Sequence, residues 1–255
     1  MITNRTYGMD ADVIAYNARI IAGGNQSLSM QSLRQLNQFV ISIKKMGLWY
    51  NMVCWPLRAN QNAGAGTIAY SLGGLGTYNG TLVNGPTWGA NGLTNSATGR
   101  ITTSYTSPAG SQAHIFVGNS AAGGGERAYA NTLTLNGIFW AGFVFRDNGA
   151  FYGNGSFIQT YRDLTSAGNF KMAAALFNNP ASSYTYLNTS QGSIEAANAM
   201  AVSSLGMTIM SVGASQYFVG TASFYGTFVA ELTPSQYTSF YSLYKSTLGQ
   251  DLDLP

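Results

Sequence analysis

The chain has 255 residues, 45% of them hydrophobic, and its mean hydropathy is near zero, which describes a globular protein long enough to bury a substantial core. Charged residues make up only 8%, against roughly 25% in an average protein, and a net charge of +3, scattered along the chain, excludes an electrostatic nucleic-acid binder. A single cysteine, Cys54, excludes an internal disulfide framework, and no stretch reaches the length of a membrane-spanning helix.

The first quarter reads as helical. Asp10 suits an N-cap and Asp12 the first turn of a helix whose broad apolar face is Val13, Ile14, Ile20 and Ile21. Gly23-Gly24 stops it. A second helix is predicted from near Ser29, with Met30, Leu33, Leu36, Val40 and Ile43 at helical spacing and Gly47 as its terminator. Lys44 and Lys45 favour the negative end of its dipole rather than a phosphate contact. A dense apolar segment follows, from Leu48 to Trp55 and Pro56. Cys54 sits inside it, between Val53 and Trp55, and reads as a buried structural thiol.

After Pro56 the chain becomes short β-like runs separated by Gly, Asn and Ser. The clearest runs are 67–72, 138–145, 157–161, 170–177, 207–212 and 224–229. Turn signals recur at Asn79-Gly80, Asn84-Gly85-Pro86, Asn91-Gly92 and Asn148-Gly149. Many short strands without alternating helices predict a sandwich or jelly roll. Near the end, Thr233-Pro234-Ser235-Gln236 reads as a capping box with proline in the first turn. Tyr237, Phe240, Tyr241, Tyr244 and Leu248 then share one helix face, which needs a partner such as the edge of the sandwich. The expected organisation is a helical attachment segment over 1–58 and a β-sandwich over 59–255, closed by a helix over 233–248.

Thr81-Leu82-Val83-Asn84-Gly85-Pro86-Thr87-Trp88, then Asn91-Gly92-Leu93 and Gly99-Arg100-Ile101, resembles the early strands of concanavalin A-like (laminin G-like) jelly rolls. Phe224-Tyr225-Gly226-Thr227-Phe228-Val229-Ala230-Glu231-Leu232-Thr233 and the tyrosine-rich helix resemble the closing strand and short helix of that fold. Asp10-Ala11-Asp12-Val13 with Tyr16, followed by a helix ending Met46-Gly47-Leu48-Trp49, resembles a helical segment found ahead of this jelly roll in structural proteins of tailed bacteriophages. The resemblance implies a mainly β chain: a concanavalin A-like jelly-roll sandwich with an N-terminal helical segment and a short C-terminal helix.

Catalytic groups are scarce. Glycoside hydrolysis needs two carboxylates at a set separation. Of nine acidic residues, only Asp10 with Asp12 and Asp251 with Asp253 alternate, and both pairs lie outside the predicted sandwich. Glu126, Asp147, Asp163, Glu195 and Glu231 stand alone. A Ser-His-Asp arrangement requires His114, which opens a strand and reads as structural. One His and one Cys do not make a zinc site. Asp147-Asn148 and Asp163 are the candidates for calcium, although Asp147-Asn148-Gly149 reads better as a turn. Gly123-Gly124-Gly125 lacks the lysine of a phosphate loop. Tyr78, Tyr105, Tyr129, Tyr184 and Tyr186 lie in turn-rich regions, where tyrosine stacks on sugars, fills interfaces or simply lines a core rim.

The sequence therefore predicts a non-enzymatic protein with no catalytic, cofactor or metal site. The resemblance implies a phage virion structural protein, made in the host cytoplasm: a capsid decoration protein exposed on the particle. Its partners would be itself, as a homotrimer, and virion proteins such as the major capsid protein, with no nucleic acid or membrane. The alternative is a tail-fibre or receptor-binding component that recognises host surface glycans.

Overall fold

A computed structural model describes residues 8–120, 127–133, 140–145, 150–153, 156–159, 169–177, 184–192, 206–212 and 216–255. Two helices come first, α1 (Ala11–Ala22) and α2 (Met30–Lys45). The Asp10 side chain accepts from the Asp12 amide at 3.0 Å, so the predicted N-cap forms, and Ser29, near which the second helix was expected to start, caps it by accepting from the Ser32 amide at 3.1 Å. Gly47, at φ +72°, follows the end of α2.

Strands β1 (Met52–Pro56), β2 (Ile68–Ala69), β3 (Gly80–Val83), β4 (Thr87–Gly89), β5 (Gly92–Asn95), β6 (Arg100–Thr103) and β7 (Gln112–Ser120) follow. Then come β8 (Arg127–Leu133), β9 (Trp140–Phe145), β10 (Ala150–Gly153), β11 (Ser156–Gln159), β12 (Lys171–Phe177), β13 (Tyr184–Leu187) and β14 (Ser190–Gln191). The last strands are β15 (Thr208–Ile209), β16 (Ser211–Val212), β17 (Gln216–Tyr217) and β18 (Gly220–Phe228), before helix α3 (Pro234–Ser246).

The protein is mainly β, with antiparallel sheets. An eight-stranded sheet runs β14-β13-β12-β7-β18-β5-β4, with β1 also paired to β18. A six-stranded sheet runs β2-β3-β6-β15-β8-β9. One core lies between the two sheets, built on Trp55, Leu93, Ile101, Phe116, Ile209 and Tyr225. A second core lies between the eight-stranded sheet and a layer of all three helices. Alternation explains both: Ala113, Ile115 and Val117 of β7 face the helices, while Phe116 faces the other sheet.

Asn84 and Gly85 both take left-handed backbone, at φ +59° and +72°. The predicted turn is therefore real, but it carries the chain from β3 in one sheet to β4 in the other rather than closing a hairpin. The hairpin lies next door, where Gly89 pairs with Gly92. At Asn79-Gly80 the strand simply begins, and the Asn79 side chain accepts from the Ser71 amide at 3.0 Å.

Several expectations are corrected. The helices expected in an attachment segment over 1–58 pack on the sandwich: β1 is hydrogen-bonded along β18 from Met52↔Phe228 to Pro56↔Phe224, and α1 and α2 share their core with the sheet. The aromatic face of α3 covers the face of the sheet, not its edge; Phe240 lies 5.8 Å from Phe228 and 5.8 Å from Phe39 of α2. The run 207–212 is broken at Met210, whose φ is +68°, into strands of two different sheets. The run 67–72 forms only β2 and a bridge from Leu72 to Cys54. The apolar stripe of α1 divides: Val13 and Ile20 are buried, with Tyr16, whereas Ile14 and Ile21 are 41% and 48% exposed.

Candidate functional site

His114 is the third residue of β7, facing the inter-sheet core. Its register partners are Thr227 on β18 and Ala175 on β12. Its Nδ1 lies 2.6 Å from the Tyr225 hydroxyl, and its ring packs against Phe177 at 6.0 Å between centroids. Burial lowers its pKa to about 4, so the imidazole is neutral at pH 7. Nε2 has no hydrogen-bond partner among the described residues. The ring is thus tied to a phenol rather than to a carboxylate and a serine, and it carries no triad.

The Asp10 and Asp12 pair is part of the helical layer. Lys44 Nζ sits 2.7 Å from Asp10 Oδ1 and 2.7 Å from Asp12 Oδ2, and Trp49 Nε1 donates to Asp12 Oδ2 at 2.9 Å. Burial opposes ionisation of Asp10, but the hydrogen bonds from Lys44 and the Asp12 amide outweigh it and lower its pKa. Capping and ion pairing account for both carboxylates. Asp251, Asp253 and Glu231 are exposed on the C-terminal flank. Glu126, Asp147, Asn148, Asp163, Glu195 and Gly123-Gly124-Gly125 lie outside the described residues, and with them the calcium question. Among the described residues, no three His, Cys, Asp or Glu groups converge. Cys54 is fully buried, and burial pushes its thiol pKa well up, as befits an unreactive core residue.

The tyrosines divide by burial. Tyr105 and Tyr186 are core residues. Tyr105 meets Tyr78 edge to face at 5.2 Å, and Tyr186 stacks on Tyr237 at 4.2 Å. Tyr78 and Tyr184 are half-buried, and the Tyr129 side chain lies outside the described residues. Among the described residues the exposed aromatic is Tyr50, 75% accessible in the turn Trp49–Asn51, which sequence spacing did not single out because it sits within an apolar run.

Two surfaces stand uncovered among the described residues. On the six-stranded sheet, Ile68 pairs with Thr81, Thr81 with Thr102, Thr102 with Thr208, and Thr208 with Asn131. Inward neighbours Leu82, Ile101 and Ile209 are buried, so Thr81, Thr102 and Thr208 form one row on the outer face. Thr81 is exposed, and Thr102 and Thr208 are half-exposed. Beside them Val83 pairs with Arg100, also half-exposed. The second surface is the outward side of α1, where Ala11, Ile14, Ala15, Ala18, Ile21 and Ala22 are all exposed. No described helix is long and apolar enough to cross a membrane.

No protein-family model matches the chain, and no curated protein matches it in sequence. Solved structures match it in fold. Trypanosoma rangeli sialidase, in complex with 2-keto-3-deoxy-D-glycero-D-galacto-2,3-difluoro-nononic acid, superposes with a TM-score of 0.55 at 13% identity, over 86% of this chain and 40% of the sialidase. The binding domain of botulinum neurotoxin serotype D superposes with a TM-score of 0.51 at 11% identity, over 77% of this chain and 52% of that one. The chain therefore spans about half the length of these proteins or less. At such identities the likeness is one of fold, and it agrees with the β-sandwich that the sequence predicted.

Proposed function

We propose that the protein is a non-enzymatic binding module that recognises glycans with the open face of its six-stranded sheet. The observation that carries this reading is the cross-strand row Thr81, Thr102 and Thr208 with Arg100 beside it, on a sheet face free of the helices that cover the other sheet. Neighbouring strands stand about 4.8 Å apart; the Thr208 hydroxyl donates to the Ser211 carbonyl at 3.0 Å and that of Thr102 to the Thr81 carbonyl at 3.4 Å, so the row presents hydroxyl oxygens at regular spacing as acceptors for the hydroxyls of a sugar. Arg100 adds a fork suited to a sugar carboxylate. Two fold neighbours give support: a sialidase in complex with a nonulosonic acid derivative, and the binding domain of a neurotoxin. A phage virion, the setting that the sequence resemblance implies, is compatible with this reading; there the module would serve in a tail fibre or receptor-binding component. The test is a glycan array. Binding to a defined sugar, lost in Thr102→Val and Arg100→Ala, is expected; no binding to any sugar, or binding unchanged in both variants, overturns it.

A second reading, a capsid decoration protein assembled with its own copies and with the major capsid protein, is favoured by the outward face of α1. Ala11 and Ala18, Ile14 and Ile21, and Ala15 and Ala22 are each seven residues apart, the spacing of a helix-pairing seam. The occupant proposed is α1 of another copy, in a homotrimer or larger array. A helix about 18 Å long and about 10 Å wide presents far less than the roughly 800 Å² per partner of a standard interface. Pairing is therefore weak for the free protein and strengthens where copies are held side by side. Copy number per purified virion, and its change in Ile14→Asp with Ile21→Asp, tests this.

A further inference from the structure

The interior between the sheets holds a chain of buried polar groups. Gln112, Ser107, Tyr105, Thr227, His114 and Tyr225 are each at most 2% exposed. At one end, Gln112 Nε2 donates to the Pro108 carbonyl, and Ser107 Oγ donates to Gln112 Oε1 at 3.1 Å. At the other end, His114 Nδ1 meets the Tyr225 hydroxyl. Between the ends, three atoms have no hydrogen-bond partner among the described residues: Tyr105 Oη, Thr227 Oγ1 and His114 Nε2.

These three atoms are neighbours. His114 and Thr227 are directly opposed in the β7–β18 ladder, which places their side chains on the same face about 5 Å apart. Burial raises the Tyr105 pKa to about 12, while the Thr227 and Ser107 hydroxyls beside its phenol hold it back, which places Tyr105 Oη next to Thr227. Proton counting fixes the imidazole. Among the described residues His114 is the one partner of the buried Tyr225 hydroxyl, so the phenol proton is satisfied when it is donated to Nδ1. Nε2 then carries the ring proton and needs an acceptor. Leaving a buried polar group unmet costs the whole of its lost hydration, and native interiors meet such groups with ordered water when two to four polar atoms converge.

We propose that this interior is a binding site for one ordered water molecule, held by His114 Nε2, Tyr105 Oη and Thr227 Oγ1. The water accepts from the His114 Nε2–H and the Tyr105 O–H, and donates to Thr227 Oγ1. It ties Tyr105 and Thr227 to the His114–Tyr225 pair across the sandwich.

The site is tested on the intact protein by a high-resolution crystal structure together with nitrogen-15 NMR of the single histidine. The expected results are a water peak within hydrogen-bonding distance of all three atoms, an Nε2–H tautomer, and a water cross-peak to His114 or Thr227. Thr227→Val should remove the peak while leaving the His114–Tyr225 bond in place. Direct bonding among Nε2, Tyr105 Oη and Thr227 Oγ1 with no water between them, or an Nδ1–H tautomer, overturns the proposal. Because both readouts are made on the unsubstituted chain, failure of the variant to fold does not remove the test.

Discussion

The hydroxyl of Tyr225 and Nδ1 of His114 lie 2.6 Å apart between the sheets, each side chain almost fully buried, with Trp55 at 6.0 Å on the far side of the tyrosine ring. This contact makes the sandwich core partly polar and makes its stability depend on pH.

In the unfolded chain His114 titrates near 6.5, but in the fold it titrates only at about 4. Between these values the unfolded state binds the extra proton, so stability falls as pH drops through this window. The difference corresponds to roughly 3 kcal/mol, lost progressively and complete below the folded pKa. Asp10, whose pKa is lowered from 3.8, adds its own loss only below that window. Denaturant midpoints measured above 6.5 and near 4 should differ accordingly, and His114→Phe should flatten the profile. A flat profile in the unsubstituted protein would contradict the buried neutral imidazole.

The helical layer is structural. Deleting residues 1–56 removes β1 along with α1 and α2, and uncovers Phe224, Phe228 and Phe240. A helical segment that merely attached the sandwich to something else would leave a soluble β domain after such a deletion. The fold predicts an aggregated or unfolded product, visible as loss of the β-sheet circular dichroism signal in the soluble fraction.

Phe240 is the hub of this layer, touching Phe39, Phe224 and Phe228. Phe240→Ala leaves a large cavity with no flexible neighbour to fill it. A loss of about 3–5 kcal/mol in unfolding free energy is expected. A loss below about 1 kcal/mol would mean that α3 packs less tightly than described.

Arg58 is buried and bonds only to carbonyls. It donates to Ala90 O at 2.8 Å, Leu248 O at 3.0 Å and Gln250 O at 2.8 Å, tying the exit of β1 to the end of the chain. Arg58→Ala strands these acceptors and should cost about 2–4 kcal/mol. Arg58→Lys should recover little, because an ammonium lacks the fork that reaches both sides. Equal stability of the lysine variant and the unsubstituted protein, by thermal unfolding, would refute this role.

Capping signals were legible in the sequence because they are local: Asp10, Ser29, and the Thr233 and Gln236 box all stand where they were read. Sandwich class was legible from turn spacing. What was hidden follows from burial on both faces. β1 and β7 are covered on both sides, so they lack the polar alternation that marks a half-buried strand. In α1, hydrophobicity could not say which of two apolar faces packs, because Ile14 and Ile21 are as apolar as Val13 and Ile20. The Thr81, Thr102 and Thr208 row and the His114 network depend on pairing between distant parts of the chain, and no local spacing announces either.

The central claim is that the open sheet face is the binding surface. Amide chemical-shift mapping during titration with an array-identified glycan tests it most directly. The account predicts that shifts cluster at Thr81, Arg100, Thr102 and Thr208. Shifts confined to α1 and Tyr50, or spread with no focus on the six-stranded sheet, would contradict it.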